Sequence, residues 1–308
     1  MRLAILDLGT NTFHLLIVDV NSEGATKTIY KSKRTVKLGE GAIHKSWIDV
    51  LPYDRGLHAI QEYAKIIRRH QADKVYGFAT SAIRSATNGR RFVEEIFRVT
   101  GIRIEVISGL REAELIYYGV NQCVSIGERP ALIMDIGGGS TEFIIADSSK
   151  IFWMHSFDIG AARLREMFRL SDPAAASEVR KIRLFLAKEL QPLQDAVKKY
   201  PVRKLIGASG SFDTLAEMIG WHFHRHNSIK GVKTYRFNLE EYNQMHERLL
   251  SSTTKQRLKM KGLIKMRVDM IVPASICTHY VLKKFRLKEM ILSKYALKEG
   301  ALWELAGG

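Results

Sequence analysis

With 308 residues, 46% hydrophobic and 26% charged, the chain has a globular composition with room for two domains, which sets aside the fibrous and disordered classes. A formal net charge of +16 asks for an anionic partner such as nucleic acid, a membrane surface or polyphosphate, and two cysteines, Cys123 and Cys277, make neither a disulfide framework nor a zinc site. Asp7 cuts short the apolar N-terminus, which lacks a signal-peptide core, and no apolar run approaches the roughly 20 residues of a bilayer span, so a cytoplasmic protein with no membrane partner is expected.

Residues 3–19, LAILDLGTNTFHLLIVD, read as a β-hairpin: apolar strand, Asp-x-Gly, small polar turn, apolar strand. The spacing of Leu57, Ile60, Ala64 and Ile67 predicts a helix over 54–70. Residues 74–79 read as a strand ending in Thr80-Ser81, 92–99 as a short helix, 102–107 as a strand and 111–120 as a helix. Residues 131–147, ALIMDIGGGSTEFIIAD, then repeat the first hairpin without a gap at an offset of 128 (135 minus 7). Asp7 falls on Asp135, Gly9 on Gly137, Thr12 on Ser140, Ile17 on Ile145 and Asp19 on Asp147. Such agreement implies a duplicated lobe.

Further on, 174–199 reads as one long helical stretch and 202–208 as a strand running into Ser209-Gly210-Ser211. Helices are expected over 213–219 and over 267–285, the latter kinked or started at Pro273. A short strand at 290–292 and a closing helix at 295–305 finish the pattern. No Pro/Gly/Ser-rich linker marks a boundary, so the repeat places it near Cys123. The expected lobes are 1–122 and 123–308, with the last helix, about 295–308, able to pack back on the first lobe.

Four segments carry chemistry. In Asp7-Leu8-Gly9-Thr10-Asn11-Thr12, glycine permits a tight turn close to an anion, and the amides and side chains of Gly9, Thr10, Asn11 and Thr12 suit phosphate oxygens. An ordinary hairpin turn would read much the same. In Asp135-Ile136-Gly137-Gly138-Gly139-Ser140-Thr141-Glu142, three successive glycines are conformationally expensive unless the backbone must approach something. Asp135 and Glu142, on the two arms, could converge on one divalent cation. Gly207-Ala208-Ser209-Gly210-Ser211 opens a helix and is a ready anion site, or a tight turn capped by Ser211. Glu112 and Glu114 lie in the first turn of a helix, where they also suit the helix dipole. Being two apart, they face different ways.

Taken in order, DLGTNTFHLLI (7–17), FATSAIR (78–84), ISGLREAELIYYGV (107–120), DIGGGSTE (135–142), GASGS (207–211) and ALKEGAL (296–302) resemble the exopolyphosphatase / guanosine pentaphosphate phosphohydrolase family, within the actin-like ATPase superfamily. The resemblance implies an α/β fold of two ribonuclease-H-like lobes with the active site in the cleft between them. By position it makes Glu112 the catalytic base, Arg84 the phosphate-gripping arginine, and Asp135 and Glu142 metal carboxylates with Asp7 nearby. The phosphate loops would be Gly9–Thr12, Gly137, Gly138, Gly139, Ser140 and Thr141, with Gly207, Ser209, Gly210 and Ser211. The metal would be Mg²⁺ or Mn²⁺, and the substrate inorganic polyphosphate or guanosine pentaphosphate. Arg111 departs from the family, which usually has an acid before the base. So does Val272-Pro273-Ala274-Ser275, where many members have a Pro-Gly-Gly turn.

In 255–267, Lys255, Arg257, Lys259, Lys261, Lys265 and Arg267 occur with no acid among them. They read either as a solvated face or as a track for a polyanionic substrate. No nucleic-acid reader motif accompanies them. His222, His224 and His226 would share a side only in a strand, and read as an ordinary surface segment. Two rivals of other classes are an ATP-dependent kinase or ATPase on the shared scaffold, and a non-catalytic polyanion-binding protein. A homodimer is compatible with all of these.

Overall fold

The computed structural model describes residues 1–41, 43–227 and 229–307. In chain order, β1 (Arg2–Leu8), β2 (Thr12–Val20) and β3 (Thr26–Thr35) precede α1 (Val50–Arg69) and β4 (Lys74–Ala79). Next come α2 (Ser81–Ser85), α3 (Gly89–Thr100), β5 (Ile104–Val106) and α4 (Gly109–Asn121). The second half holds β6 (Ala131–Ile136), β7 (Thr141–Ala146), β8 (Ile151–Phe157), α5 (Ala161–Phe168), α6 (Ala176–Glu189), α7 (Gln191–Lys199), β9 (Lys204–Ala208) and α8 (Ser209–Ile219). It ends with β10 (Thr234–Arg236), α9 (Leu239–Leu250), α10 (Thr254–Arg257), α11 (Ile271–Lys284), β11 (Glu289–Ser293) and α12 (Leu297–Leu305). They form two compact units, Met1–Gly119 with Leu297–Gly308, and Val120–Ala296.

The first unit carries a five-stranded sheet in the order β3-β2-β1-β4-β5. β1, β2 and β3 run antiparallel, while β4 and β5 run parallel to β1. Leu6, Leu8, Phe13, Leu15, Ile60, Tyr63 and Phe92 fill its core. Tyr63, fully buried, satisfies its hydroxyl by donating to the Phe13 carbonyl at 2.9 Å. β3 is an edge strand, and its sequence TKTIYKSKRT suits one: charged and threonine-rich, mostly exposed. α12 lies against α4 so closely that any Cβ at Gly300 would strike the Leu115 carbonyl.

The second unit carries a six-stranded sheet in the order β10-β11-β9-β6-β7-β8. β6 and β7 are buried along their whole length, and their sequences ALIMDI and TEFIIA are correspondingly apolar. Read outward from the hairpin, β8-β7-β6-β9-β11 repeats the order and directions of β3-β2-β1-β4-β5. The fold is therefore the expected α/β class, with a ribonuclease-H-like sheet in each unit. Beneath the second sheet His246 is fully buried and stacks on His279 at 4.1 Å between ring centroids. Burial pushes both imidazoles down, His246 to about 3 and His279 to about 4.

Two local expectations change and one open alternative is decided. The long helix over 174–199 is two helices, because the chain turns at Leu190 and restarts with Pro192 in the first turn of α7. Ser211 does not cap a helix beginning at 213; α8 begins at Ser209 and has no side-chain cap. Pro273 marks a start rather than a kink, lying in the first turn of α11.

Candidate active site

The expected site residues fall into two sets, one per unit. Each gathers at the carboxyl ends of parallel strands, where open α/β sheets bind ligands. In the first unit the amide of Gly9 donates to the Thr12 carbonyl at 3.2 Å and closes the hairpin turn. The Thr10 carbonyl accepts from Gly39 at 3.3 Å, and the Asn11 carbonyl from Val36 and Lys37 at 3.0 Å each. Because peptides are planar and trans, the N–H groups of Asn11 and Thr12 point away from that supporting loop. Asp7 stands opposite His14 across the hairpin.

Beside this turn, Thr80 donates its amide to the Leu8 carbonyl at 3.3 Å, and α2 follows. Arg84 from α2 reaches Glu112 at 2.8 Å and the Ile107 carbonyl at 3.2 Å. Glu112 is buried at 7% exposure in the first turn of α4. Glu114 faces elsewhere, bonded to Arg111 at 2.6 Å and to the Tyr118 hydroxyl at 3.2 Å. Arg111 also donates to Glu304, and hydrogen bonding to these two carboxylates raises its pKa further. The unusual arginine at 111 thus binds Glu114 and Glu304, while Arg84 is the cation on Glu112.

In the second unit the closing bond recurs: Gly137 donates to the Ser140 carbonyl at 3.0 Å. A Cβ at Gly9 or Gly137 would lie 3.1 or 3.0 Å from the respective carbonyl, so both turns favour glycine. The register pairs Asp135 directly with Glu142. Directly opposed side chains share a face of the sheet with Cβ atoms about 5 Å apart. Both are buried, at 7% and 1% exposure, and Glu142 accepts from the Ser156 hydroxyl at 2.7 Å.

The carbonyls of the three glycines all point to the start of α5. Gly137 accepts from the Ala161 amide at 3.0 Å, Gly138 from Ala162 at 2.9 Å and Arg163 at 3.1 Å, and Gly139 from Gly160 at 3.2 Å. Arg163 adds a side-chain bond, Nε to the Gly139 carbonyl at 3.0 Å. The next strand end contributes Ser209, whose φ of +68° is strained for a residue with a side chain. Its hydroxyl donates to the Ile136 carbonyl at 3.1 Å. Gly207 lies under Phe212, and Gly210 lies against the Arg267 guanidinium, which bonds its carbonyl.

The model of the Ppx/GppA phosphatase family matches residues 16–307. The chain belongs to this family. A crystal structure of an exopolyphosphatase from Cytophaga hutchinsonii is similar to it over 99% of this chain and 98% of that one, with a TM-score of 0.96 and 37% identity. Exopolyphosphatase 2 of Mycobacterium tuberculosis is 28% identical over 323 residues, covering 99% of each protein. A guanosine-5'-triphosphate,3'-diphosphate pyrophosphatase of Aeromonas salmonicida is 29% identical over 99% of this chain, which spans 59% of that protein.

In this Ppx/GppA phosphatase the basic tract divides. Lys255, Lys259, Lys261 and Lys265 are exposed. Arg257 is turned inward at 6% exposure, bonded to the carbonyls of Ser252 and Val268 and to Asp172 at 3.0 Å. Arg267 is drawn under α8, where it bonds the Gly210 carbonyl and the Thr214 hydroxyl, and burial lowers its pKa. These two arginines do structural work rather than lining a track. Residues 220–224 form a π-helical turn, not a strand; His222 meets Arg248, while the rings of His224 and His226 lie 6.1 Å apart. His224 instead meets Glu241 at 3.0 Å. Among the described residues no helix is long and apolar enough to cross a membrane.

Sequence reasoning passed over Gly160, Arg163 and the 36–39 loop, which hold the two turns from behind. A signal existed at the first two: Gly160-Ala161-Ala162 is a small-residue run of the kind that lets a helix start touch other backbone.

Proposed function

We propose that this Ppx/GppA phosphatase is a metal-assisted exopolyphosphatase that hydrolyses the terminal phosphoanhydride bond of inorganic polyphosphate. The observation that carries the reading is the buried Asp135–Glu142 pair beside a turn whose three glycine carbonyls are engaged from behind.

Like charges opposed across a ladder destabilise it. A divalent cation would turn that repulsion into shared coordination. The donor set is all oxygen, which suits Mg²⁺ or Mn²⁺; Mg²⁺ commonly takes one or two carboxylates and fills its shell with phosphate and water. Among the described residues no three His, Cys, Asp or Glu side chains cluster as a ready-made metal site, so the substrate's own oxygens would complete the shell. When bound, the metal neutralises charge on the terminal phosphates.

The chain's own residues do the rest. Amides of 138–140, and those of Asn11 and Thr12, orient phosphate oxygens. Glu112, held by Arg84, orients the attacking water and accepts its proton. Arg84 meets the phosphoryl charge as that proton moves. Positioning and electrostatics dominate, as in phosphoryl transfer generally. The exposed lysines 255, 259, 261 and 265 would steer a long chain.

The test is phosphate release from long-chain polyphosphate with Mg²⁺ or Mn²⁺, before and after chelation. Release that stops on chelation and returns with metal is expected; none with either metal would end the reading. Guanosine pentaphosphate hydrolysis at the same residues is the second reading, favoured by the Aeromonas relative. Turnover of both substrates side by side decides between them.

A further inference from the structure

We infer that Arg163 is a positioning residue for the reaction: it locks the glycine turn 137–140 in its anion-binding conformation from the side opposite the substrate. The inference deepens the proposed function and rests on it for the identity of the anion.

Each peptide in the turn has a carbonyl on one side and an N–H on the other. The carbonyls of Gly137, Gly138 and Gly139 are all taken by the first amides of α5. The N–H groups in the same peptide planes belong to Gly138, Gly139 and Ser140, so all three point the opposite way. Among the described residues these three amides donate to no protein acceptor. Three successive amides facing one side form a nest for an anion.

Two features hold this arrangement. Gly160 permits the approach, since a Cβ there would lie 2.5 Å from the backbone of Gly138 and Gly139. Arg163 then fixes the last peptide. Its backbone amide donates to Gly138 and its Nε to Gly139, so one residue bonds two adjacent carbonyls. The side chain is 11% exposed, and its Nη2 meets Asp158 at 3.3 Å. A charged donor on the Gly139 carbonyl polarises that peptide and strengthens the Ser140 N–H as a donor on the far side. The arginine is therefore placed to act through the turn.

The arrangement also satisfies α5. Its first amides would otherwise be orphans, because Gly160 at the cap has no side chain to offer. Turn and helix start are each other's missing partners, and Arg163 is the side chain that ties them.

The experiment compares wild type, R163A, R163K and D158A in phosphate release from polyphosphate, with melting curves alongside. R163A is expected to keep its melting temperature within a few degrees and lose roughly 10–100-fold in kcat/KM, mostly in kcat, the usual scale for removing a supporting hydrogen bond behind a reactive group. Added guanidinium should restore part of that loss. R163K keeps the charge and the stem but not the flat fork, and should lose several-fold in kcat. D158A, which removes only the exposed partner, should stay within a few-fold of wild type. Full kcat in R163K, a loss in R163A matched by lost folded protein, or equal loss in D158A and R163A would each overturn the proposal. If wild type itself releases no phosphate, the proposed function fails instead. The clamp is then read by calorimetric binding of tripolyphosphate, which R163A should weaken; unchanged binding overturns it.

Discussion

The two hairpin turns, 9–12 and 137–140, share a closing hydrogen bond and a strand register, yet they are supported differently. Behind the first stands an irregular loop, Val36 to Gly39, which includes Lys37 at a φ of +49°. Behind the second stand a helix start and a buried arginine. Where the second hairpin opposes Asp135 with Glu142, the first opposes Asp7 with His14. The two turns thus share a backbone cradle and differ in charge. One carries the Asp135–Glu142 carboxylate pair; the other has a single acid at its turn, with the Arg84–Glu112 ion pair on neighbouring helices.

The sharpest way to test that division is to remove the chemistry from each side in turn. Glu112→Gln should fold normally and lose on the order of 10²–10⁴ in rate, measured as phosphate release at saturating substrate. Full activity would take the base away from the first unit. Next, E142Q should lose on the order of 10²-fold or more and demand higher metal concentrations, while H14Q at the matching register should lose only a few-fold. Equal losses in both, read from metal titrations of activity, would break the asymmetry. A smaller effect is expected from neutralising Lys255, Lys259 and Lys261 together: KM for long polyphosphate should rise on the order of tenfold at low salt, with tripolyphosphate barely affected. Equal shifts for both would remove the steering role.

The smallest effect separates the units by stability. His246 and His279 are held neutral by burial in the second unit, so their folded pKa values, about 3 and about 4, lie below the ordinary 6.5. The unfolded chain binds protons first as pH falls. Stability is therefore intact above 6.5 and is lost as pH falls from there toward 4 and then 3, by on the order of 2 kcal/mol per histidine near pH 5. Denaturant melts of wild type and H279Q between neutral pH and pH 5 should show a shallower decline in the variant.

Much of this was legible in the residues. The repeat at an offset of 128 located both turns, because an Asp-x-Gly hairpin leaves a strict pattern. The apolar runs of β1, β2, β6 and β7 marked the arms of the two hairpins. β3 left no such mark, since an edge strand of lysines and threonines buries too little to show a period. β8 and α5 were passed over as well, and with α5 went the support of the glycine turn. Charge pattern failed for Arg257 and Arg267, because nothing in a run of basic residues says which of them will bond backbone carbonyls. Glu112 and Glu114 were correctly separated by helical geometry, but only coordinates could show Arg84 on one and Arg111 on the other.

The placing of α12 has a temporal consequence. Residues 297–305 belong to the unit begun at residue 1, and Gly300 fits against α4 only by having no side chain. During synthesis the second unit's strands are all made before that helix emerges. The first unit must wait, one helix short, until that segment has been made. Substituting a larger residue at position 300 should therefore injure the half of the enzyme that was translated first.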